Sequence, residues 1–330
     1  MKFQHNLHFA SDDSPIKGFQ EAVFSVSNLD KWVDLFERIC GWVVVNRSNG
    51  NGALKKLWQL DSTVEMEEVL MQNTDDKEGF LRIVQFKNVE QVQIRSATQA
   101  WDSGGIFDVN IRTVDIDKFY KAFQYEGWNG YANPIRYTFN IYDVSEVLLK
   151  GPDGITIAAM QRFAPPLEGF PHMKSTSRLF NSSIICANME TSRDFYINKL
   201  GFSMFFETLG DSRNGTQNVL GFPYNMNENI TVPIDIVRPD SNNYGSIEYL
   251  APKEVKGKDC SALAKPPNLG ILMLRFPVKD AEGYASTLED RGVTLTSPVQ
   301  TVEIAPYGNL KVFAVRSPEG AWLEFMELIN

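Results

Sequence analysis

Apolar residues recur at positions i, i+3, i+4 and i+7 in three stretches: Leu29, Trp32, Val33, Phe36; Ile116, Phe119, Tyr120, Phe123; and Ala281, Tyr284, Ala285, Leu288. This is the stripe of an amphipathic helix that buries one face. A fourth stretch keeps Met189 and Tyr196 but places Ser192 and Arg193 between them, which makes it the poorest match. Each helix is expected to end near a glycine, Gly41, Gly127, Gly201 or Gly292, because glycine best adopts the left-handed backbone that closes a helix. Ahead of the helices the pattern changes to a period of two. Val109 and Ile111 oppose Asp108, Asn110 and Arg112, and Leu272, Leu274 and Phe276 oppose Ile271, Met273 and Arg275. One face of such a strand suits the helix, and the other must line solvent or a cavity. Further alternating segments follow each helix, and the turn formers Gly151-Pro-Asp-Gly and Ser317-Pro-Glu-Gly lead into final strands near 155–160 and 321–326.

The elements repeat. Asn28, Asp34 and Gly41 recur as Asn188, Asp194 and Gly201 at a constant offset of 160, and the two turn sequences are separated by 166. Two independent markers at nearly equal offsets indicate duplication of about half the chain, and the helical stripe divides each half again. The pattern predicts an α+β protein of four βαβββ modules. The halves are expected as domains 1–163 and 178–330, joined at 164–177, where the proline-rich stretch running from Arg162 to His172 breaks all periodicity.

Composition narrows the function classes. Hydrophobic content of 43% with 22% charged residues describes an ordinary globular chain. A net charge of -9 gives no footprint for nucleic acid or anionic membrane, and apolar runs are too short to span a bilayer. Three scattered cysteines, Cys40, Cys186 and Cys260, argue against a disulfide framework and for a reducing compartment, so a cytoplasmic location is expected. Cys40 and Cys186 lie among apolar residues and read as small buried hydrophobes. A small-molecule substrate and a monomer or homodimer complete this expectation.

A strand, a helix ending in a Leu200-Gly-Phe type of sequence, three further strands and a closing Pro-Asp-Gly or Pro-Glu-Gly turn together resemble the vicinal oxygen chelate superfamily (glyoxalases, bleomycin-resistance proteins, extradiol dioxygenases) from about Gly18 to Ile329. The resemblance implies modules paired into two half-barrel cups, with ligands projecting from first and last strands. Carried over position by position, the first-strand site falls on Glu21, Asp108 and Asn181, and in the fourth module on Ile271 or Met273. The last-strand site falls on Glu324, on Ala158, on Arg82 or Ile83, and on Glu248. Iron-dependent members need two histidines and a carboxylate. Here only His5, His8 and His172 exist, all in the tail or linker, which argues against a ring-cleaving dioxygenase.

The resemblance therefore implies a lyase or isomerase acting on an oxygenated organic molecule in a cup, or a non-catalytic binding or resistance protein of the same fold. If modules one and four pair, Glu21 and Glu324 meet; they would be the catalytic pair, either as ligands of one divalent ion or, with no metal, as general acid and base. Ion pairing or a solvated strand end is the alternative for both. Asp108, Asn110, Arg112 and Asn181 are candidates for binding substrate along a polar strand face, or for a salt-bridged face towards water. The pairing of modules, one with two or one with four, is open from sequence.

Overall fold

The computed structural model describes residues 14–97, 99–208, 218–227, 230–242 and 244–329. His5 and His8 lie outside them. Module one comprises β1 (Glu21–Ser25), α1 (Leu29–Leu35), β2 (Val43–Asn49), α2 (Gly52–Leu57), β3 (Glu65–Gln72) and β4 (Phe80–Lys87). Module two comprises β5 (Asp108–Arg112), α3 (Ile116–Tyr125), β6 (Asn129–Gly130), β7 (Ile135–Phe139), β8 (Tyr142–Lys150) and β9 (Thr156–Ala164). Module three has β10 (Asn181–Ile185), α4 (Met189–Arg193), β11 (Ser203–Thr208), α5 (Tyr224–Asn227), β12 (Ile234–Arg238) and β13 (Ser246–Leu250). Module four has β14 (Gly270–Pro277), α6 (Ala281–Asp290), β15 (Leu295–Ile304), β16 (Gly308–Arg316) and β17 (Trp322–Leu328).

The sheets settle the pairing. An eight-stranded sheet runs β15-β16-β17-β14-β1-β4-β3-β2, joining module four to module one. A nine-stranded sheet includes the order β11-β12-β13-β10-β5-β9-β8-β6, joining module three to module two, with β7 on β8. The junctions, β1 with β14 and β10 with β5, are both antiparallel. Each sheet thus takes one module from either side of 164–177, so the boundary expected there separates modules along the chain and does not separate two sheets.

The helices form where the stripes predicted them, and each begins on a side-chain cap. Asn28, Asp115, Asn188 and Asp280 accept backbone N–H groups of the first turn, each such cap contributing about 1 kcal/mol. The terminal glycines Gly41, Gly127, Gly201 and Gly292 all have φ between 72° and 83°. Helices from all four modules and the helix-facing sides of both sheets share one apolar cluster, in which Trp32 and Trp128 meet edge to face at 5.3 Å. Burying each such aromatic contributes about 2–3 kcal/mol.

The recurring turns tie modules together. Asp153 of the second module accepts the Ser27 N–H at 3.0 Å and the Trp32 indole N–H at 3.2 Å from the first. At the matching place, Glu319 of the fourth module accepts the hydroxyl of Ser192 from the third. Ser192, the residue that weakens the apolar stripe of the third helix, is thus the partner of a buried carboxyl.

Candidate functional site

Strand β1 puts Glu21 on the face away from the helices, and β14 places Arg275 directly opposite it. A register shift between Val23 and Phe24 breaks the alternation along β14, so that Met273 and Arg275 face Val23 and Glu21 while Ile271 joins the helix side. The next strands outward add Arg82, whose neighbour in register on β1 is Val23, and Glu324, paired with Arg275. Two carboxylates and two guanidinium groups therefore meet in this cup, all four at 0% exposure; Glu21, Glu324 and Arg82 stand at positions that the resemblance marked, and Arg275 does not.

These charges satisfy one another. Arg82 donates Nε and Nη2 to the two oxygens of Glu21 at 2.8 and 3.1 Å, and Arg275 donates Nη1 to Glu21 Oε1 at 2.5 Å. Arg275 Nε also donates to Glu324 at 2.6 Å, bridging the two carboxylates. Tyr307 donates its hydroxyl to Glu21 at 2.8 Å, the Trp58 indole N–H donates to Glu324 at 2.6 Å, and Glu68 lies 3.3 Å from Arg82. Burial alone would raise the Glu21 carboxyl, but Arg82 and Arg275 outweigh it and hold the group down to about 2. Leu54, Leu57 and Trp58 at the end of α2, together with Ile304 and Tyr307, all buried, pack into the same cup. This cup is filled.

The nine-stranded sheet is built on the same plan with different contents. Asp108 and Asn110 of β5 stand opposite Ser183 and Asn181 of β10. The Asn110 amide donates to Asp108 at 2.9 Å and lies 3.2 Å from the Asn181 oxygen, and Asn181 donates to Ser246 at 2.9 Å. The Ser183 N–H donates to Asp108 at 3.2 Å. Asp108 is 2% exposed and forms no ion pair among the described residues. Burial pushes its carboxyl up to about 7, with Glu146 adding to the rise while the hydrogen bonds from Ser183 and the more distant Arg95 oppose it. Above this floor the same face is partly open: Asn110, Arg112, Glu146, Met160, Arg162, Ile236 and Glu248 are all half-buried. Tyr137 donates its hydroxyl to Glu146 at 2.5 Å. Two shallow surface depressions, one of about 280 Å³ beside Gly50 and Lys55 and one of about 430 Å³ beside Gly292, hold none of these buried groups.

The structure brings Glu21 and Glu324 together, as pairing of modules one and four requires, and it gathers Asp108, Asn110, Arg112 and Asn181 on one face of the other sheet. It does not bring the two sets into one cup. Glu21 and Glu324 do not fit a divalent ion, one of the two roles expected of them: their oxygens hold Arg82, Arg275, Tyr307 and Trp58, and a cation would displace buried guanidinium groups. For the other role, acid–base work, both carboxyls are at 0% exposure and engaged in the ion pairing that was the alternative for both. Among the described residues no group of three or more His, Cys, Asp and Glu converges as ligands. His172 is exposed, and its backbone carbonyl accepts from Asn73. Burial raises the thiols of Cys40 and Cys186 to about 12.

Sequence reasoning missed Arg275, Arg162 and Glu146. Strand alternation had put Arg275 on the cup face, and the carry-over of ligand positions drew weight to Ile271 and Met273 instead.

No protein-family model and no curated protein sequence matches the chain. Solved structures do. Glyoxalase I from Zea mays superposes with a TM-score of 0.61 at 13% identity, covering 94% of this chain and 92% of that one. A Bacillus subtilis protein described provisionally as a dioxygenase gives 0.59 at 10% identity, covering 96% and 87%. At such identities likeness speaks for fold and not for activity. With four βαβββ modules joined pairwise across two curled sheets, the chain has the fold of the vicinal oxygen chelate superfamily.

Proposed function

We propose that the chain is a metal-independent enzyme of small-molecule metabolism, of lyase or isomerase type, that works in the cup of modules two and three with Asp108 as its acid–base group. The observation that carries this reading is the Asp108 carboxyl, buried, hydrogen-bonded, without an ion-pair partner and held near neutrality below an open polar face. A carboxyl in that state accepts a proton from a carbon next to a carbonyl and returns it to a neighbouring atom, which is the step shared by isomerisation and elimination. Asn110 and Ser183 both donate to Oδ1 of the carboxyl and fix its orientation. The cup of modules one and four serves as a structural partner. A cytoplasmic location and a small-molecule substrate, with neither nucleic acid nor membrane as partner, belong to the same reading; the net charge of -9 supports the last point.

The test is solvent-deuterium exchange into a panel of small oxygenated carbonyl compounds, followed by proton NMR for the natural protein and Asp108→Asn. Exchange that depends on Asp108 and has a pH midpoint near its titration supports the proposal. Equal exchange by both proteins overturns it. A non-catalytic binding protein, the second reading, would bind a panel member without exchanging it.

A further inference from the structure

Above Asp108 the same sheet carries two arginines, Arg112 and Arg162, that form no salt bridge among the described residues. Arg112 ends β5 with Met160 as its register partner on β9, and Arg162 follows two residues later on the same face. Arg112 lies over the Phe180 ring at 4.3 Å and Arg162 over the Tyr142 ring at 4.2 Å, so aromatic contacts hold both guanidinium planes. Each has a buried Nε with no hydrogen-bond partner among the described residues. Three other buried arginines are ion-paired, Arg82 with Glu21, Arg178 with Asp76 and Arg275 with Glu324, and a fourth, Arg95, donates to the backbone carbonyls of Gly104 and Gln99. Glu146 acts on Arg112 without forming a salt bridge to it, and Tyr137 donates to one of its oxygens. Burial, and then repulsion from Arg162, bring Arg112 down to about 10. In a chain of net charge -9, two neighbouring cations kept partly dry and unpaired are costly unless an anion joins them.

We infer that Arg112 and Arg162 form a subsite for the carboxylate of an organic acid whose apolar body lies along the cup towards Asp108. The planar fork of a guanidinium matches a carboxylate, and Met160 and Phe180 supply apolar surface beside it. Arg112 lies four residue steps along β5 from Asp108, about 13 Å of backbone, which suits an acid with several carbon atoms better than acetate. The inference rests on the proposed function only for the choice of this cup, and names the substrate class.

Calorimetric titration with phenylacetate, its neutral counterpart phenylacetamide and inorganic sulfate tests the subsite. Phenylacetate is expected to bind the natural protein at least about tenfold more tightly than the amide or sulfate, and Arg112→Gln or Arg162→Gln to weaken it about tenfold or more. Asp108→Asn is expected to keep phenylacetate binding. Equal binding of acid and amide, sulfate as strong as phenylacetate, or undiminished binding by both arginine variants would overturn the subsite. Arg112→Lys, which keeps the charge, covers the case in which the glutamine variant fails to fold. If phenylacetate binds as expected while deuterium exchange does not need Asp108, the proton-transfer reading falls and the subsite stands; the opposite pair of results removes the subsite alone.

Discussion

Replacing Glu21 with Gln leaves Arg82 and Arg275 buried with one counter-charge fewer, and the structure sets the size of the penalty. The carboxyl is held down from 4.5 to about 2, and at about 1.4 kcal/mol per tenfold this corresponds to about 3 kcal/mol at neutral pH. Removing one member of a buried ion pair typically costs about 3–5 kcal/mol, in agreement. Because the folded-state pKa is depressed, the stabilisation is fully present above the unfolded value of 4.5 and is lost as pH falls towards 2. Urea denaturation of the natural protein and Glu21→Gln, at neutral pH and at steps down to about pH 3, measures both quantities. The variant is expected to be about 3 kcal/mol less stable at neutral pH, with a shallower acid limb. Glu21→Met combined with Arg82→Met, which leaves Arg275 on Glu324, should recover part of the loss, since apolar replacement of a buried pair is often neutral but Glu68 also loses Arg82. A single variant costing under about 1 kcal/mol with an unchanged acid limb would refute the reasoning.

Three further outcomes are expected. Asp108 has a raised pKa, so its contribution is fully present below the unfolded value of 3.8 and is lost as pH rises through about 7. Asp108→Asn should therefore match the natural protein near pH 4 and exceed it by about 2–4 kcal/mol above about pH 8, read from urea midpoints. Asp153→Ala removes the acceptor of the Ser27 and Trp32 N–H groups and should cost about 2 kcal/mol in the same assay; a loss confined to a few tenths would show that the turn does not tie the modules. Because guanidinium groups hold the carboxylates of Glu21 and Glu324, a chelator or added Mg, Mn, Ni or Zn salts should move the melting temperature by less than about 1 °C, whereas a resident ion would shift it by mass action.

The modules were legible because their signals are local. A stripe such as Ile116, Phe119, Tyr120 and Phe123 and a terminal glycine such as Gly127 lie within one helix, and both hold in the structure. Asn28 and Asn188, visible in the sequence as repeat markers, prove to be helix caps. The pairing of modules was not legible, because nothing local in β1 shows that its partner is β14. The contents of each cup followed from that pairing and were hidden with it. Arg275 was visible on its strand face, but its meaning needed Glu21 beside it, and a register shift across β1 and β14 spoils simple counting. In the same way, the turn carboxyls of Asp153 and Glu319 could be read as turn chemistry while their partners in other modules could not.

The order in which the sheets join bears on how the chain matures. Asn110 and Asn181, which meet at the junction of the inner modules, are 71 residues apart, whereas Glu21 and Arg275 are 254 apart. Longer closure costs more entropy and waits longer during synthesis, so the inner modules can join while the last module is still being made. Until β14 and β17 arrive, Glu21 and Arg82 have only each other, Glu68 and water. The final act of folding then draws Arg275 and Glu324 out of solvent together with them, so a chain truncated before β14 keeps the inner pair of modules but strands the first with half of a charge network.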